Sequence, residues 1–160
     1  MRYSGFQVCT TEIPDEISLG ISCLGCNVHC TGCHSQETWD IYSIGKGKQL
    51  KVQDICDALD KQKYITCVLF FGGEWAVDFL KIVKELKDKK PDIKIALYTG
   101  RILEDFKNKE IINYLDYIKV GPYNKVKGNL RSKTTNQKLY KLENGRIAKN
   151  ITHMFWRNNE

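Results

Sequence analysis

Residues 17–34 read Ile17-Ser18-Leu19-Gly20-Ile21-Ser22-Cys23-Leu24-Gly25-Cys26-Asn27-Val28-His29-Cys30-Thr31-Gly32-Cys33-His34. The first eight are rich in Ile, Leu and Cys and close on Gly25, which predicts a buried strand over 17–24. The rest, with cysteines spaced C-x3-C-x2-C and a glycine between them, predicts a loop over 26–34. A strand that ends in such a loop is the first unit of a pattern that recurs along the chain. β-Branched and aromatic runs follow at 65–71, 93–98 and 117–120, each cut off by a glycine turn: Gly72-Gly73, Thr99-Gly100 and Gly121-Pro122. Between them, Val52, Ile55, Cys56 and Leu59 stand at helical spacing in 51–61, and Val77, Leu80, Val83 and Leu86 do so in 76–89. Residues 102–114 predict one broken helix or two short ones.

Strands alternating with helices define an α/β protein built from parallel βαβ units, an open or incomplete (β/α) barrel. Past Pro122 the pattern changes, and Asn144-Gly145 between two extended runs predicts a terminal hairpin or extended arm. With 160 residues, no internal repeat and no composition break, the chain is expected to form a single domain over 1–160. Apolar residues at 42% and charged residues at 28% are an ordinary globular balance. No apolar run approaches the roughly 18 residues of a membrane helix, and the first residues do not lead into a signal peptide. The expectation is a soluble cytoplasmic protein without a membrane partner.

The net charge of +6 is unevenly placed. Residues 119–160 hold ten Lys and Arg against Glu143 and Glu160, a local balance of +8. Such a segment suits an anionic partner, an acidic protein surface or nucleic acid, or is simply a solvated lysine-rich face. No aromatic–basic recognition motif accompanies it, so nucleic acid is the less favoured partner.

Seven cysteines without a secretory signal point to metal or redox chemistry rather than to disulfides. Cys9, Cys56 and Cys67 read as buried small hydrophobes. Cys26, Cys30 and Cys33 are close enough in sequence to bind three different irons of one [4Fe–4S] cube, which leaves the fourth iron open to a ligand. Cys23 offers a rival reading, two zinc knuckles formed by Cys23/Cys26 and Cys30/Cys33. Zinc pairs are usually separated by roughly 12–20 residues, far more than the short spacer between Cys26 and Cys30, and Cys23 alternates with Ile21 as a core residue does. The cluster is therefore favoured, with a zinc-stabilised nucleic-acid-binding module as the alternative.

The C-x3-C-x2-C loop after a first strand resembles the signature of the radical S-adenosylmethionine (SAM) enzymes. The longer string from Gly25 to His34, followed by Glu37-Thr38-Trp39, resembles their glycyl-radical-enzyme activases. Most radical SAM proteins carry an aromatic residue before the third cysteine; Gly32 stands there, as in the small branch that activates the anaerobic ribonucleoside-triphosphate reductase. The short chain, Tyr98-Thr99-Gly100 and Val120-Gly121-Pro122-Tyr123 fit that branch. Other radical SAM activities, a pyruvate formate-lyase-type activase or a deazaguanine synthase, are the nearest alternatives.

The resemblance implies a radical SAM-type incomplete barrel in which Cys26, Cys30 and Cys33 ligate the cluster. Gly72-Gly73-Glu74 would bind the methionine end of SAM, with Gly32, Cys33 and His34 against its adenosyl part and Thr99 facing the cofactor. It further implies a large anaerobic ribonucleotide reductase subunit as protein substrate and an external electron donor. On the residues alone, Gly72-Gly73 is also a plain strand exit, and Glu74 an acid at a helix N-terminus. Arg101 follows a strand end and is expected near the cofactor; His29 is expected to be exposed loop and Trp39 to pack beneath the cluster loop. One departure stands out: residues 11–16 read Thr-Glu-Ile-Pro-Asp-Glu where that family often has a Gly-Pro-Gly-like turn.

Overall fold

The computed structural model describes residues 1–42 and 47–157. Residues 158–160, the end of the basic segment, lie outside the described residues. Eight strands form one sheet in the order β3-β1-β2-β4-β5-β6-β7-β8. They are β1 (Arg2–Cys9), β2 (Ser18–Cys23), β3 (Lys48–Gln49), β4 (Cys67–Phe71), β5 (Lys94–Tyr98), β6 (Tyr117–Val120), β7 (Lys138–Glu143) and β8 (Arg146–Asn150). The central four, β2, β4, β5 and β6, are parallel. Helix α1 (Val52–Lys61) makes the first crossover and α2 (Phe79–Lys89) the second, and two 3₁₀ turns, Leu103–Phe106 and Glu110–Tyr114, make the third. Among the described residues no helix is long and apolar enough to cross a membrane.

The α/β class and the parallel centre agree with the sequence reading, but the sheet is mixed. Antiparallel strands extend the parallel core on both sides, β1 and β3 beyond β2, and β7 and β8 beyond β6. β1 lacks a legible period because Arg2, Gly5 and Gln7 interrupt its apolar residues and its register against β2 slips between Tyr3 and Gly5. The C-terminal segment is a hairpin rather than a free arm. Asn144 and Gly145 both take positive φ, 51° and 73°, the geometry a two-residue turn between antiparallel strands needs. α2 also starts later than the apolar spacing implies: Val77 is fully exposed, and the helix begins after Asp78.

Strand alternation divides the core into two faces. Leu19, Ile21, Val68, Phe70, Ile95, Leu97, Ile118 and Val120 point toward the helices, where Ile55, Leu59, Val83 and Leu86 meet them. Cys67, Leu69, Ala96, Tyr117 and Leu139 point to the other face, where Ile13, Leu130 and Ile151 fill one end. At that end Glu16 is buried and accepts hydrogen bonds from Thr66 Oγ1 (2.6 Å) and Tyr117 Oη (2.8 Å) and an ion pair from Lys94. Burial works against its charge, yet these donors outweigh it and hold the carboxyl below the usual glutamate range.

A carboxyl whose folded value is depressed contributes stability above its unfolded value, and the contribution is lost as pH falls through the folded one. Urea unfolding should therefore show the wild type losing stability on acidification more steeply than Glu16→Gln. Glu16→Ala, which strands three partners, should cost about 2–3 kcal/mol near neutral pH.

Candidate functional site

Because β2, β4, β5 and β6 are parallel, their C-terminal ends lie along one edge of the sheet. The cysteine loop leaves β2 there, Gly72 leaves β4, Thr99-Gly100 leave β5 and Gly121 follows β6. The first three exits, with Lys119 of β6 and Tyr123 beyond it, border a cavity of about 310 Å³ on the face without helices. Ligands bind outside the carboxyl ends of strands in open α/β sheets for this topological reason. Cys26, Cys30, Cys33, Gly72 and Thr99 all line it.

The loop is held by backbone and side-chain bonds. The Gly25 and Cys26 amides donate to Thr38 O (2.8 and 3.1 Å), Cys33 N donates to Cys30 O (3.1 Å), and Ser35 N reaches the Cys33 sulfur (3.3 Å). Arg101 Nη2 donates to Asn27 Oδ1 (2.8 Å), tying the loop to the exit of β5. Trp39 stacks on His29, rings 4.4 Å apart, as the packing role read for Trp39 requires, and His29 itself is exposed.

Two glycines of the β4 exit are demanded by packing as well as by any ligand. Gly72 has φ +79°, and a Cβ there would lie 2.2 Å from the Trp75 ring. A Cβ on Gly73 would lie 2.6 Å from Met1 Sδ and 3.1 Å from Cys23 Sγ. The Trp75 ring thus fills the space a side chain would take, and its Nε1 donates to Leu24 O (3.0 Å) at the root of the cysteine loop. Gly73 and Glu74 stand behind the cavity wall rather than on it. Glu74 is not a helix-start residue: its side chain is 5% exposed, and Oε1 accepts from Thr99 Oγ1 (2.6 Å) with Arg101 Nε at 3.7 Å. Burial raises its carboxyl above the usual range against the pull of Thr99 and Arg101, and Oε2 is buried without a partner.

The remaining expected residues fall at the margin. His34 is exposed, its ring 5.2 Å from that of Tyr123. Gly32 packs on the loop after β6, where a Cβ would meet Lys125 Cβ at 3.4 Å and Tyr123 Cε1 at 3.7 Å. Tyr123 lines the cavity, so an aromatic ring from a distant part of the chain stands beside the position before the third cysteine. Tyr123, Trp75, Tyr98 and Lys119 were not legible as site residues. Lys119 did carry a signal, since a lysine interrupts an otherwise apolar strand. Burial pushes its ammonium down to about 8, against the opposing negative charge of Cys30, Glu74, Cys33 and Cys26.

The donor set fits an iron–sulfur cluster. Three half-buried free thiols face one cavity, and Gly100 leaves open the space where its Cβ would stand 3.2 Å from Cys30 Sγ. Among the described residues no three His, Cys, Asp or Glu side chains converge tightly enough to clasp a single ion. A four-iron cube takes each thiolate on a different iron and does not need that convergence. Cys23, the fourth ligand a zinc site would require, is buried on the helix side, its thiol pushed far up by burial and bonded to Ile21 O.

These features are those of an iron–sulfur protein, and the chain belongs to the 4Fe-4S single cluster domain family, whose pattern spans residues 19–143. It is similar to the anaerobic ribonucleoside-triphosphate reductase-activating protein of Enterobacteria phage T4, 29% identical over 131 residues that make up 76% of this chain and 81% of that protein.

Trp75→Phe keeps the ring but loses the bond to Leu24 O, and should cost about 1 kcal/mol in urea unfolding. Gly72→Ala drives a methyl into that ring at an unfavourable φ, and should cost more, about 2–4 kcal/mol.

Proposed function

We propose that this protein activates an anaerobic ribonucleoside-triphosphate reductase by generating a glycyl radical on it, using a [4Fe–4S] cluster and SAM. The observation that carries the reading is the meeting of Cys26, Cys30 and Cys33 with Gly72 and Thr99 around one cavity at the strand ends. The family and the similarity to a reductase-activating protein support it. Held by Cys26, Cys30 and Cys33, a [4Fe–4S] cluster would supply the one-electron reduction, by an external donor, that cleaves SAM to methionine and a 5′-deoxyadenosyl radical able to take a hydrogen atom from a glycine Cα of the reductase.

The chain's own residues bind, orient and shield. Cys26, Cys30 and Cys33 hold three irons as thiolates and leave one iron for SAM. The β4 exit lets backbone groups approach the methionine amino group without a Cβ between them. Thr99 supplies an acceptor on the same side, and Glu74, behind the cavity wall, positions it by accepting its hydroxyl hydrogen. The backbone of Gly32, Cys33 and His34 faces the adenosyl part, and Tyr123 provides beside Gly32 the ring that the wider superfamily carries before the third cysteine. Trp75 and Phe71 keep the wall apolar and exclude water. The protein acts in the reducing cytoplasm, where free thiols persist.

The basic loop after β6 adjoins the site through Gly32 and Lys125, and Lys125, Lys127, Arg131 and Lys133 are exposed. They form the face that docks the reductase.

Anaerobic protein reconstituted with iron and sulfide, then given dithionite and SAM, should release 5′-deoxyadenosine, detected by chromatography. Cys30→Ala should abolish the product. Failure of the wild type to cleave SAM would overturn the reading. Reversing the charge of Lys125, Lys127, Arg131 and Lys133 should weaken reductase binding at low salt at least tenfold in a pull-down titration, with SAM cleavage in the absence of partner retained.

A further inference from the structure

Lys119 is the one cation among the described residues that line the cluster cavity. It lies on β6 between Ile118 and Val120, both buried, in a position where an ammonium is expensive to hold. Among the described residues its ammonium makes no hydrogen bond and no ion pair; Nζ stands 5.2 Å from the centre of the Tyr98 ring. That ring is itself pinned, because Tyr98 Oη donates to Glu12 O. Tyr98, Lys119 and Gln137 form the wall between the cluster cavity and a second cavity of about 180 Å³. The lysine is thus held on an aromatic platform at a partition, without the carboxylate that a structural buried lysine normally takes.

Cys26, Cys30 and Cys33 line the same cavity as Lys119, and Glu74 lies behind its wall. Glu74 is already engaged by Thr99 and Arg101. The cavity that Lys119 lines is otherwise bordered, among thiol and carboxyl groups, by the three thiols and, at its exposed rim, by Glu37.

Resting on the cluster reading above, we propose that Lys119 is the counter-charge of that site: its ammonium stabilises the extra negative charge of the reduced cluster and so raises the cluster's reduction potential. Each thiolate brings one negative charge, and one-electron reduction by the external donor adds another to the same small volume. A fixed cation beside it favours the reduced form by Coulomb attraction, strengthened because the cavity wall excludes water. Hydrogen bonding, local charge and exposure are the means by which a protein sets such potentials. Lys119 touches no reacting atom in this scheme; it is a positioning residue for charge.

The test is a potentiometric titration of the reconstituted full-length protein, followed by the electron paramagnetic resonance of the reduced cluster, with no SAM or partner present. Lys119→Met should shift the one-electron equilibrium toward the oxidised form at least tenfold, about 59 mV. Lys119→Arg, which keeps the charge, should stay within threefold of the wild type. Lys119→Gln, a polar replacement for a site that rejects Met, should follow Met. Loss of the cluster from the Met and Gln proteins with full iron content in the Arg protein would equally support a charge role. A potential within twofold of the wild type in Lys119→Met, or an Arg protein that behaves like Met, overturns the inference. Wild-type protein that takes up no cluster overturns instead the reading on which it rests.

Discussion

The indole of Trp75 holds two strand ends together. Its ring occupies the space above Gly72 that any Cβ would claim, and its N–H satisfies the Leu24 carbonyl where β2 stops. A buried carbonyl at a strand end has lost its ladder partner and must find another. By supplying it, Trp75 makes the exit of β4 the support from which the cysteine loop springs. The loop is then closed from above by Thr38 and from the side by Arg101, so its three thiols face inward without a regular element of their own.

Around that support the sheet works as a divider. One face is covered by two helices and two 3₁₀ turns and is packed throughout. The other is filled at one end only, by Ile13, Leu130, Ile151 and their neighbours. The space left at the opposite end, above Ser22, Phe71, Tyr98 and Lys119, is the cavity. The division assigns the cysteines: Cys23 ends a strand residue series that faces the helices, whereas Cys26, three residues later, is already in the loop above the open face. Two thiols so near in sequence have different environments, one buried and the other half-buried at the cavity.

The parallel strands were legible as largely apolar runs ended by glycine turns, and both helices because their apolar residues recur every three or four positions. The loop cysteines were legible from spacing alone. β1 was not, since Arg2, Gly5 and Gln7 interrupt its apolar residues and its pairing comes from residues nine to twenty positions away. Val77 misled because the apolar spacing runs on past Asp78, the residue after which the helix begins, into the exposed turn before it. Glu74 reads as a helix-start acid, yet its carboxylate turns to Thr99 and Arg101, partners on another strand exit.

The sequence by itself determined the α/β class, the parallel run of the central strands and the choice of Cys26, Cys30 and Cys33 as the candidate ligand set. These follow from periodicity and local spacing, which a chain carries along its length. Only the tertiary structure decided that Trp75, Tyr98, Lys119 and Tyr123 share the cavity with those thiols, that Cys23 does not, and that His34 stays at its rim. Those assignments depend on which side of a strand a residue faces and which strand ends lie side by side. They are set when parallel strands pair and their exits meet on one edge, a relation between residues some twenty to fifty positions apart in each pairing that no local pattern records.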